Sequence, residues 1–224
     1  MKLNQNTIET LKNFAGINTN ILIKQGDELS TISTMRNIFA KAKISDEFTN
    51  EFGIYDLNEF LSAISCFAKP ELSLQDKFMT ISSEGSKSKV KYFYSDPSVI
   101  VSPTKPVNMP EADVTFSLSS TNYKELLKAA AILKAPDLAL IGTKGGDVVL
   151  KICDKKNDTA NTFDIVVGQS ATADYTFYFK VENMKMLDGD YDVAVSSKSI
   201  SHFKHTKLPV EYWIALEPDS TITK

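Results

Sequence analysis

The sequence NTIETLK at residues 6–12 is repeated as NYKELLK at residues 122–128, with Asn, Glu, Leu and Lys in the same order and at the same spacing. Repetition at an interval far longer than a solenoid repeat indicates two copies of a whole domain, and duplicated domains often build symmetric surfaces. The chain is therefore interpreted as a doubled module.

The repeated residues also predict where two helices begin. An Asn side chain can accept a hydrogen bond from a backbone N–H of the first helical turn, and a Glu three residues later can reach back to complete a capping box. We expect Asn6 with Glu9, and Asn122 with Glu125, to form such boxes. Each motif then opens a helix.

The composition is that of an ordinary globular protein of 224 residues, with 42% hydrophobic and 24% charged residues. No apolar run approaches the roughly 20 residues of a membrane span. The net charge of −3 argues against a protein that coats nucleic acid through uniform positive charge. Cys66 and Cys153 lie in different halves without metal-ligand spacing, which indicates a reducing, cytoplasmic setting.

Hydrophobic patterning predicts the same plan in both halves: helices combined with many short antiparallel strands, which is an α+β class with helices gathered on one side of sheets. Residues 55–61 and 179–186 each predict a strand that ends in an aromatic residue and runs into an amphipathic helix. The predicted helices are 5–16, 56–67, 123–134 and a short one near 181–186, and the predicted strands are 20–24, 28–35, 38–44, 51–55, 71–75, 78–82, 90–94, 114–118, 138–142, 148–153, 162–167, 176–179, 191–196, 200–205 and 210–216.

Between these halves the chain is rich in proline, with Pro97, Pro103, Pro106 and Pro110 in one short stretch. Proline fixes φ and removes a backbone donor, so the stretch favours an extended, fairly stiff connector. The predicted organisation is an N-terminal domain at 1–95, a connector at 96–112 and a C-terminal domain at 113–224.

Short segments along the whole chain carry a family resemblance. They are 11–15 (LKNFA), 44–46 (ISD), 54–58 (IYDLN), 96–98 (DPS), 183–186 (NMKM), 189–191 (GDY) and 215–217 (ALE). In this order and at this spacing they resemble the DNA polymerase sliding clamps of T-even-type bacteriophages, which are relatives of the proliferating-cell nuclear antigen.

The resemblance implies a fold and a function. It implies two similar clamp domains per subunit, with helices lining the inside of a ring and antiparallel sheets outside, and three subunits per ring. Such a ring encircles duplex DNA, slides along it and tethers the replicative polymerase for processive synthesis. The implied partners are duplex DNA, DNA polymerase, an ATP-dependent clamp loader and late-transcription factors, in the cytoplasm of the infected bacterial host, with no membrane, metal or cofactor.

Lysines on the polar faces of the helices are the candidate DNA contacts. On the helix at 123–134 the apolar residues follow the i, i+3, i+4 pattern, which points Lys124 and Lys128 away from the sheet. Lys12 occupies the position equivalent to Lys128 in the first copy. Lys134, near the end of its helix, and Lys180 and Lys185, near the short fourth helix, are further candidates. The alternative is that these lysines are simply solvated.

Lysine suits a contact that must slide. Its attraction to phosphate is independent of sequence and weakens with salt by roughly 0.9 in log-log slope per neutralised phosphate. Arg36 is the only arginine, and nothing in the sequence resembles a recognition helix.

The resemblance also implies an apolar pocket for the tail peptides of partner proteins, beside the connector and the C-terminal segment. The matching residues are Val101, Pro103, Val107, Met109, Leu216 and Pro218. An apolar pocket there would suit an aromatic or leucine anchor. Equally, these residues could pack the connector onto the two domains.

Ring closure requires strand edges that pair between subunits. The candidate edges are the last strand of the first half and the strand at 162–167. Tyr92, Phe93, Phe163 and Ile165 could flank the resulting subunit interface, although strand alternation would bury some of them in their own domains.

Catalytic and metal-binding signatures are weak. His202 and His205, the only histidines, are three residues apart in a predicted strand and so point to opposite faces. No Walker-type phosphate loop is present, and Asp56 with Glu59 fits the start of a helix better than an acid/base pair. The remaining alternative to a clamp is a ring-forming structural protein of a virion, which would share the oligomer but not the DNA-facing charge.

Overall fold

The computed structural model describes residues 1–169 and 171–223. The chain divides into two compact units, Met1–Pro106 and Val107–Lys224. This division falls inside the proline-rich segment 96–112. Both units combine helix with antiparallel sheet, which confirms the predicted α+β class. Within the described ranges no helix is long and apolar enough to cross a membrane.

The first unit carries two helices on three groups of strands. β1 pairs with β4, β2 with β3, and β5, β6 and β7 form a sheet in that order, all antiparallel. A 3-10 turn at Pro97–Val99 follows the last strand. The elements are α1 (Gln5–Ile17), β1 (Ile21–Ile23), β2 (Gly26–Ile32), β3 (Ile38–Phe48), β4 (Phe52–Ile54), α2 (Leu57–Ser65), β5 (Pro70–Leu74), β6 (Phe78–Ser83) and β7 (Lys89–Phe93).

The second unit has one α-helix and two groups of antiparallel strands. One sheet has the order β11-β10-β9-β12-β16, and in the other group β15, β14, β13 and β8 are successive neighbours. The elements are β8 (Val114–Leu118), α3 (Ser120–Leu133), β9 (Asp137–Gly142), β10 (Val148–Cys153), β11 (Phe163–Gly168), β12 (Asp174–Lys180), β13 (Tyr191–Ser196), β14 (Ile200–His205), β15 (Val210–Ala215) and β16 (Thr221–Thr223).

The helices of the repeated motif form as predicted, but their caps lie upstream. Asn4 caps α1 and accepts from the N–H of Asn6 at 2.9 Å, while Ser119 caps α3 and accepts from the N–H of Asn122 at 3.1 Å. The predicted capping boxes are therefore wrong. Short polar side chains were available just before each motif, and using them extends each helix at its N-terminus.

The fourth predicted helix is also wrong. Residues near 181–186 form only a 3-10 turn at Val181–Asn183. The hydroxyl of Tyr123 on α3 donates to the carbonyl of Met184 at 2.7 Å and accepts the N–H of Met186 at 3.2 Å. This buried bridge holds the segment after the turn in a non-helical path, with both methionine side chains in the core.

Each core lies between helix and sheet. In the first unit α1 and α2 pack against each other and bury Leu11, Phe14, Leu57 and Phe60. In the second unit α3 packs on β10 and β11 and buries a stripe at the spacing expected for one helical face. Burying these stripes fixes which residues of α1 and α3 remain on the surface.

Candidate nucleic-acid interface

Lys12 lies on the exposed side of α1. The residues on either side of it along the buried face, Leu11 and Phe14, are fully covered. Within the described part of the chain Lys12 makes no ion pair. Its ammonium is therefore available to an external anion.

Lys124 and Lys128 are exposed on α3, one turn apart, while Tyr123, Leu126 and Ala130 are buried. This agrees with the predicted helix orientation. The two lysines differ in their surroundings, however. Lys128 makes no ion pair with any described residue, and it lines a groove of about 440 Å³ between α3 and β11, together with Glu125, Ile132 and Phe163 among others.

Lys124 has an internal counter-charge that the sequence did not reveal. Its Nζ atom lies 2.6 Å from Oδ2 of Asp188, and the side chains of both residues are more than half exposed. Asp188 also accepts a hydrogen bond from Ser120 Oγ at 2.5 Å. The hydrogen bonds from Lys124 and Ser120 lower the pKa of Asp188, so the carboxylate stays ionised beside the helix.

Lys134 is the C-cap of α3 and adopts a left-handed backbone with φ 53°. Its N–H donates to the carbonyl of Ala130, and its side chain is exposed. Lys185 is likewise exposed, just after the 3-10 turn. Both therefore reach solvent, but neither projects from the ordered face of a helix.

Lys180 does not fit the prediction of a DNA-facing lysine. Its Nζ lies 2.6 Å from Oδ1 of Asp137, a carboxylate that is 1% exposed, and 3.8 Å from Glu217. The hydrogen bond with Asp137 raises the pKa of Lys180. Its ammonium is thus committed to an internal ion pair, and we remove it from the candidate DNA contacts.

The two predicted strand edges are edges of their sheets. β7 is the outer strand of β5-β6-β7, and β11 is the outer strand of its sheet. The opposite edge, β5, is covered, because the N–H of Leu72 donates to the carbonyl of Met1 at 2.8 Å. In the first unit this leaves β7 as the uncovered edge of its sheet.

The four residues predicted at these edges differ in how much of each side chain is covered by its own unit. Tyr92 packs on Phe60 of its own unit, and its hydroxyl donates to the carbonyl of Asp56 at 3.3 Å. Burial, together with Glu59 and Asp56, raises the pKa of Tyr92 to about 12. Phe93, by contrast, is 62% exposed.

On the other edge, Phe163 and Ile165 are half-buried. Val166, which the sequence analysis did not single out, is 53% exposed on the opposite face of the same strand. Strict alternation along β11 could have identified it.

Known proteins match both units. A family model described as DNA polymerase processivity factor matches residues 2–102, and one described as gp45 sliding clamp, C terminal, matches residues 115–218. The sliding clamp of Vibrio phage KVP40 is 34% identical over 223 residues, which are 97% of this chain and 99% of that relative. The chain belongs to the phage sliding-clamp family. The sliding clamp of Enterobacteria phage T4 is 30% identical, with 99% of each clamp covered.

The solved structures confirm the fold of the clamp. The PCNA of A. fulgidus, in a structure described as bound to the C-terminal region of FEN-1, covers 99% of this chain and 100% of its own, with a TM-score of 0.71 at 12% identity. The sequence-based resemblance to T-even-type clamps and to the proliferating-cell nuclear antigen is therefore confirmed.

The residues predicted for a partner pocket of the clamp differ in burial. In the first unit Val101 and Pro103 are half-buried, and Val101 is tied down by Asn20, which accepts its N–H at 3.0 Å, and by Asn18, which donates to its carbonyl at 3.3 Å. In the second unit Val107 and Met109 are half-buried, Leu216 is buried and Pro218 is exposed.

The histidines of the clamp lie on opposite faces of β14. His202 stacks on Trp213 with ring centroids 4.5 Å apart and contacts Glu211 at 2.9 Å. His205 is buried against Tyr191. The two rings therefore do not converge on one site.

Proposed function

We propose that this clamp encircles duplex DNA as a homotrimeric ring and tethers the replicative DNA polymerase of its phage, acting in the infected bacterial cell. The observation that carries this proposal is the match of both units, over nearly the whole chain, to sliding clamps and processivity factors. The clamp performs no covalent chemistry of its own in this proposal. A ring-forming virion protein is not favoured by these relatives.

The exposed lysines support a sequence-independent contact with DNA. Lys12 and Lys128 project from helices without an internal counter-charge among the described residues, and Lys124, Lys134 and Lys185 are also exposed. Point charges attract any phosphate backbone equally. Arg36, the only arginine, lies outside the helices at φ 56°. The described helices therefore present lysine point charges and no arginine for bidentate reading of guanine.

The strand edges support head-to-tail closure. We propose that β7 of one subunit pairs with β11 of the next, with Tyr92, Phe93, Phe163 and Ile165 at the interface and Val166 added to them. Two different edges that pair in one direction form a ring when the rotation per subunit closes. Phe93 and Val166, both more than half exposed, are the residues with most apolar surface to cover.

We further propose that partners bind through tail peptides. The candidate residues are Val101, Pro103, Val107 and Met109, in the proposed connector at 96–112 between proposed domains at 1–95 and 113–224, and Leu216 and Pro218. The proposed partners are DNA polymerase, the ATP-dependent clamp loader and late-transcription factors. Support comes from the PCNA neighbour, which holds the C-terminal region of another protein, and from the exposure of Pro218.

A topological experiment tests the ring. The clamp is loaded onto a nicked circular plasmid with the loader and ATP, and retention is measured before and after the plasmid is linearised. We expect a native mass of a trimer, retention on the circle and release from the free ends. Retention that survives linearisation would show binding without encirclement. A trimer that is never retained would favour the virion protein.

A further inference from the structure

The turn at 217–220, which carries the exposed Pro218, is attached to β12 by two hydrogen bonds to Tyr178. The N–H of Glu217 donates to the carbonyl of Tyr178 at 2.8 Å, and the N–H of Tyr178 donates to Oγ of Ser220 at 2.9 Å. The turn closes on itself through the N–H of Ser220, which donates to the carbonyl of Glu217 at 3.1 Å. The turn is therefore fixed to β12 at Tyr178, near the C-terminal end of that strand.

Lys155 adds a third attachment, made by a side chain. Its Nζ lies 2.7 Å from Oδ1 of Asp219, 3.5 Å from Oε2 of Glu217 and 5.0 Å from the ring centroid of Tyr178. The Lys155 side chain is 11% exposed, whereas that of Asp219 is 54% exposed, so solvent and salt are excluded mainly from the ammonium end of the pair. One ammonium thus holds both carboxylates of the turn.

Lys155 is itself held in place by a buried carboxylate. Its backbone N–H donates to Oδ2 of Asp137 at 3.2 Å, and the other oxygen of Asp137 binds Lys180. Burial alone would lower the pKa of Lys155, but the carboxylates of Asp219, Glu217 and Asp137 raise it. The five groups form one connected network of two ammonium groups and three carboxylates.

Such a network is not needed for stability alone. Burying its charges costs desolvation free energy, and well-packed apolar residues of similar volume often stabilise a protein as much or more. The network restricts the side chains of Asp219 and Glu217, and with them the turn, to one conformation. A binding surface that is already ordered loses less conformational entropy when a ligand arrives. Here the ordered surface is the turn that presents Pro218, next to buried Leu216.

We propose that Lys155 is a positioning residue, which holds the 217–220 turn in a preformed shape and so raises the affinity of the clamp for partner tail peptides. This inference rests on the proposed peptide site. Lys155 contacts the turn and not the peptide. Its removal therefore weakens peptide binding through the order of the turn.

The test compares Lys155→Met, which keeps much of the side-chain stem and removes the charge, with Lys156→Met, whose exposed side chain makes no ion pair in the described structure. The probe is a synthetic peptide with the C-terminal sequence of the polymerase encoded by the same phage. Amide hydrogen exchange at 216–223, peptide affinity and native mass are measured. We expect Lys155→Met to exchange faster and to bind about tenfold more weakly at unchanged mass, and Lys156→Met to match the original clamp.

Two further variants distinguish a positioning role of Lys155 from a general loss of folding. Lys155→Arg retains the charge and should restore most of the affinity, whereas Asp219→Asn removes the partner at the exposed end of the pair and should reproduce part of the loss. Unchanged exchange in Lys155→Met, or faster exchange with unchanged affinity, would overturn the inference while the peptide site stands. Failure of the original clamp to bind the peptide would overturn the site and the inference together.

Discussion

The ammonium of Lys180 lies 2.6 Å from a carboxylate oxygen of Asp137, whose side chain is 1% exposed. From the sequence, Lys180 is a candidate DNA contact beside the predicted short fourth helix. In the structure it neutralises a buried acid and joins the network that holds the C-terminal turn. This pair shows that a lysine count alone overstates the charge available to DNA.

Lys180→Met should destabilise the clamp without changing its behaviour on DNA. The change leaves Asp137 buried without its ammonium partner, and breaking a buried pair in this way costs about 3–5 kcal/mol. Because the Lys180 side chain is still 27% exposed, we expect a loss of about 2–3 kcal/mol in the free energy of unfolding. Urea unfolding measures it, with the exposed Lys198→Met as the control. A loss below about 0.5 kcal/mol would show that water replaces the ammonium.

Lys128→Glu should weaken the affinity for DNA more than Lys124→Glu. Lys128 has no internal counter-charge among the described residues, whereas Lys124 is already paired with Asp188. The double change should abolish loader-dependent stimulation of polymerase while the trimer survives. Equilibrium affinity for a short linear duplex across a salt series measures the effect, with Lys198→Glu as the control. Unaltered stimulation by the double variant would reject these lysines as the DNA-facing set.

Asp188→Asn should strengthen the contact with DNA. Removing the carboxylate frees Lys124 for phosphate, so the log-log slope against salt should steepen by up to roughly 0.9 for each lysine released. The measurement is the same salt series, made on the variant and the original clamp. A slope that does not change would indicate that Lys124 lies away from the duplex.

Phe93→Asp or Val166→Asp should open the ring. Each change puts a charge on an exposed apolar residue of a proposed pairing edge, where desolvating it is unfavourable. Native mass at micromolar concentration should fall from trimer towards monomer. Val99→Asp provides a matched control, because Val99 is 55% exposed but lies outside both edges. Trimers of normal stability in both edge variants would place the interface elsewhere.

Acidification should loosen the C-terminal turn. The hydrogen bond from Lys155 lowers the pKa of Asp219 below its ordinary value near 3.8. A carboxylate with a depressed folded-state pKa contributes stability above that ordinary value, and the contribution is lost as pH falls through the lowered pKa. Carboxyl NMR should find the Asp219 midpoint below 3.8 and shifted upward in Lys155→Met. If the midpoint does not shift in that variant, Lys155 is not the cause of the lowered pKa of Asp219.

The sequence predicted what depends on local spacing. The stripe of Tyr123, Leu126 and Ala130 places Lys124 and Lys128 on the outer side of α3, and the buried residues confirm it. The two candidate edges, the last strand of the first half and the strand at 162–167, are outer strands of their sheets, and the resemblance supplied the fold. The caps were missed because Asn4 and Ser119 lie just outside the repeated motif.

What the sequence could not predict are charges brought together from distant positions. Asp188 meets Lys124, and Asp137 meets Lys180, only after the sheets of the second unit have formed. No periodicity links such residues. The bridge from Tyr123 that replaces the predicted fourth helix has the same origin, since a hydroxyl on α3 determines the backbone near Met186.

The Lys124–Asp188 pair has a consequence for motion along DNA. A lysine that leaves one phosphate can return to its own carboxylate before it reaches the next, so it is never stripped of a counter-ion. We expect this exchange to lower the barrier between successive positions and to reduce friction during diffusion. A weak contact between Lys124 and phosphate would then favour fast diffusion along DNA over tight binding.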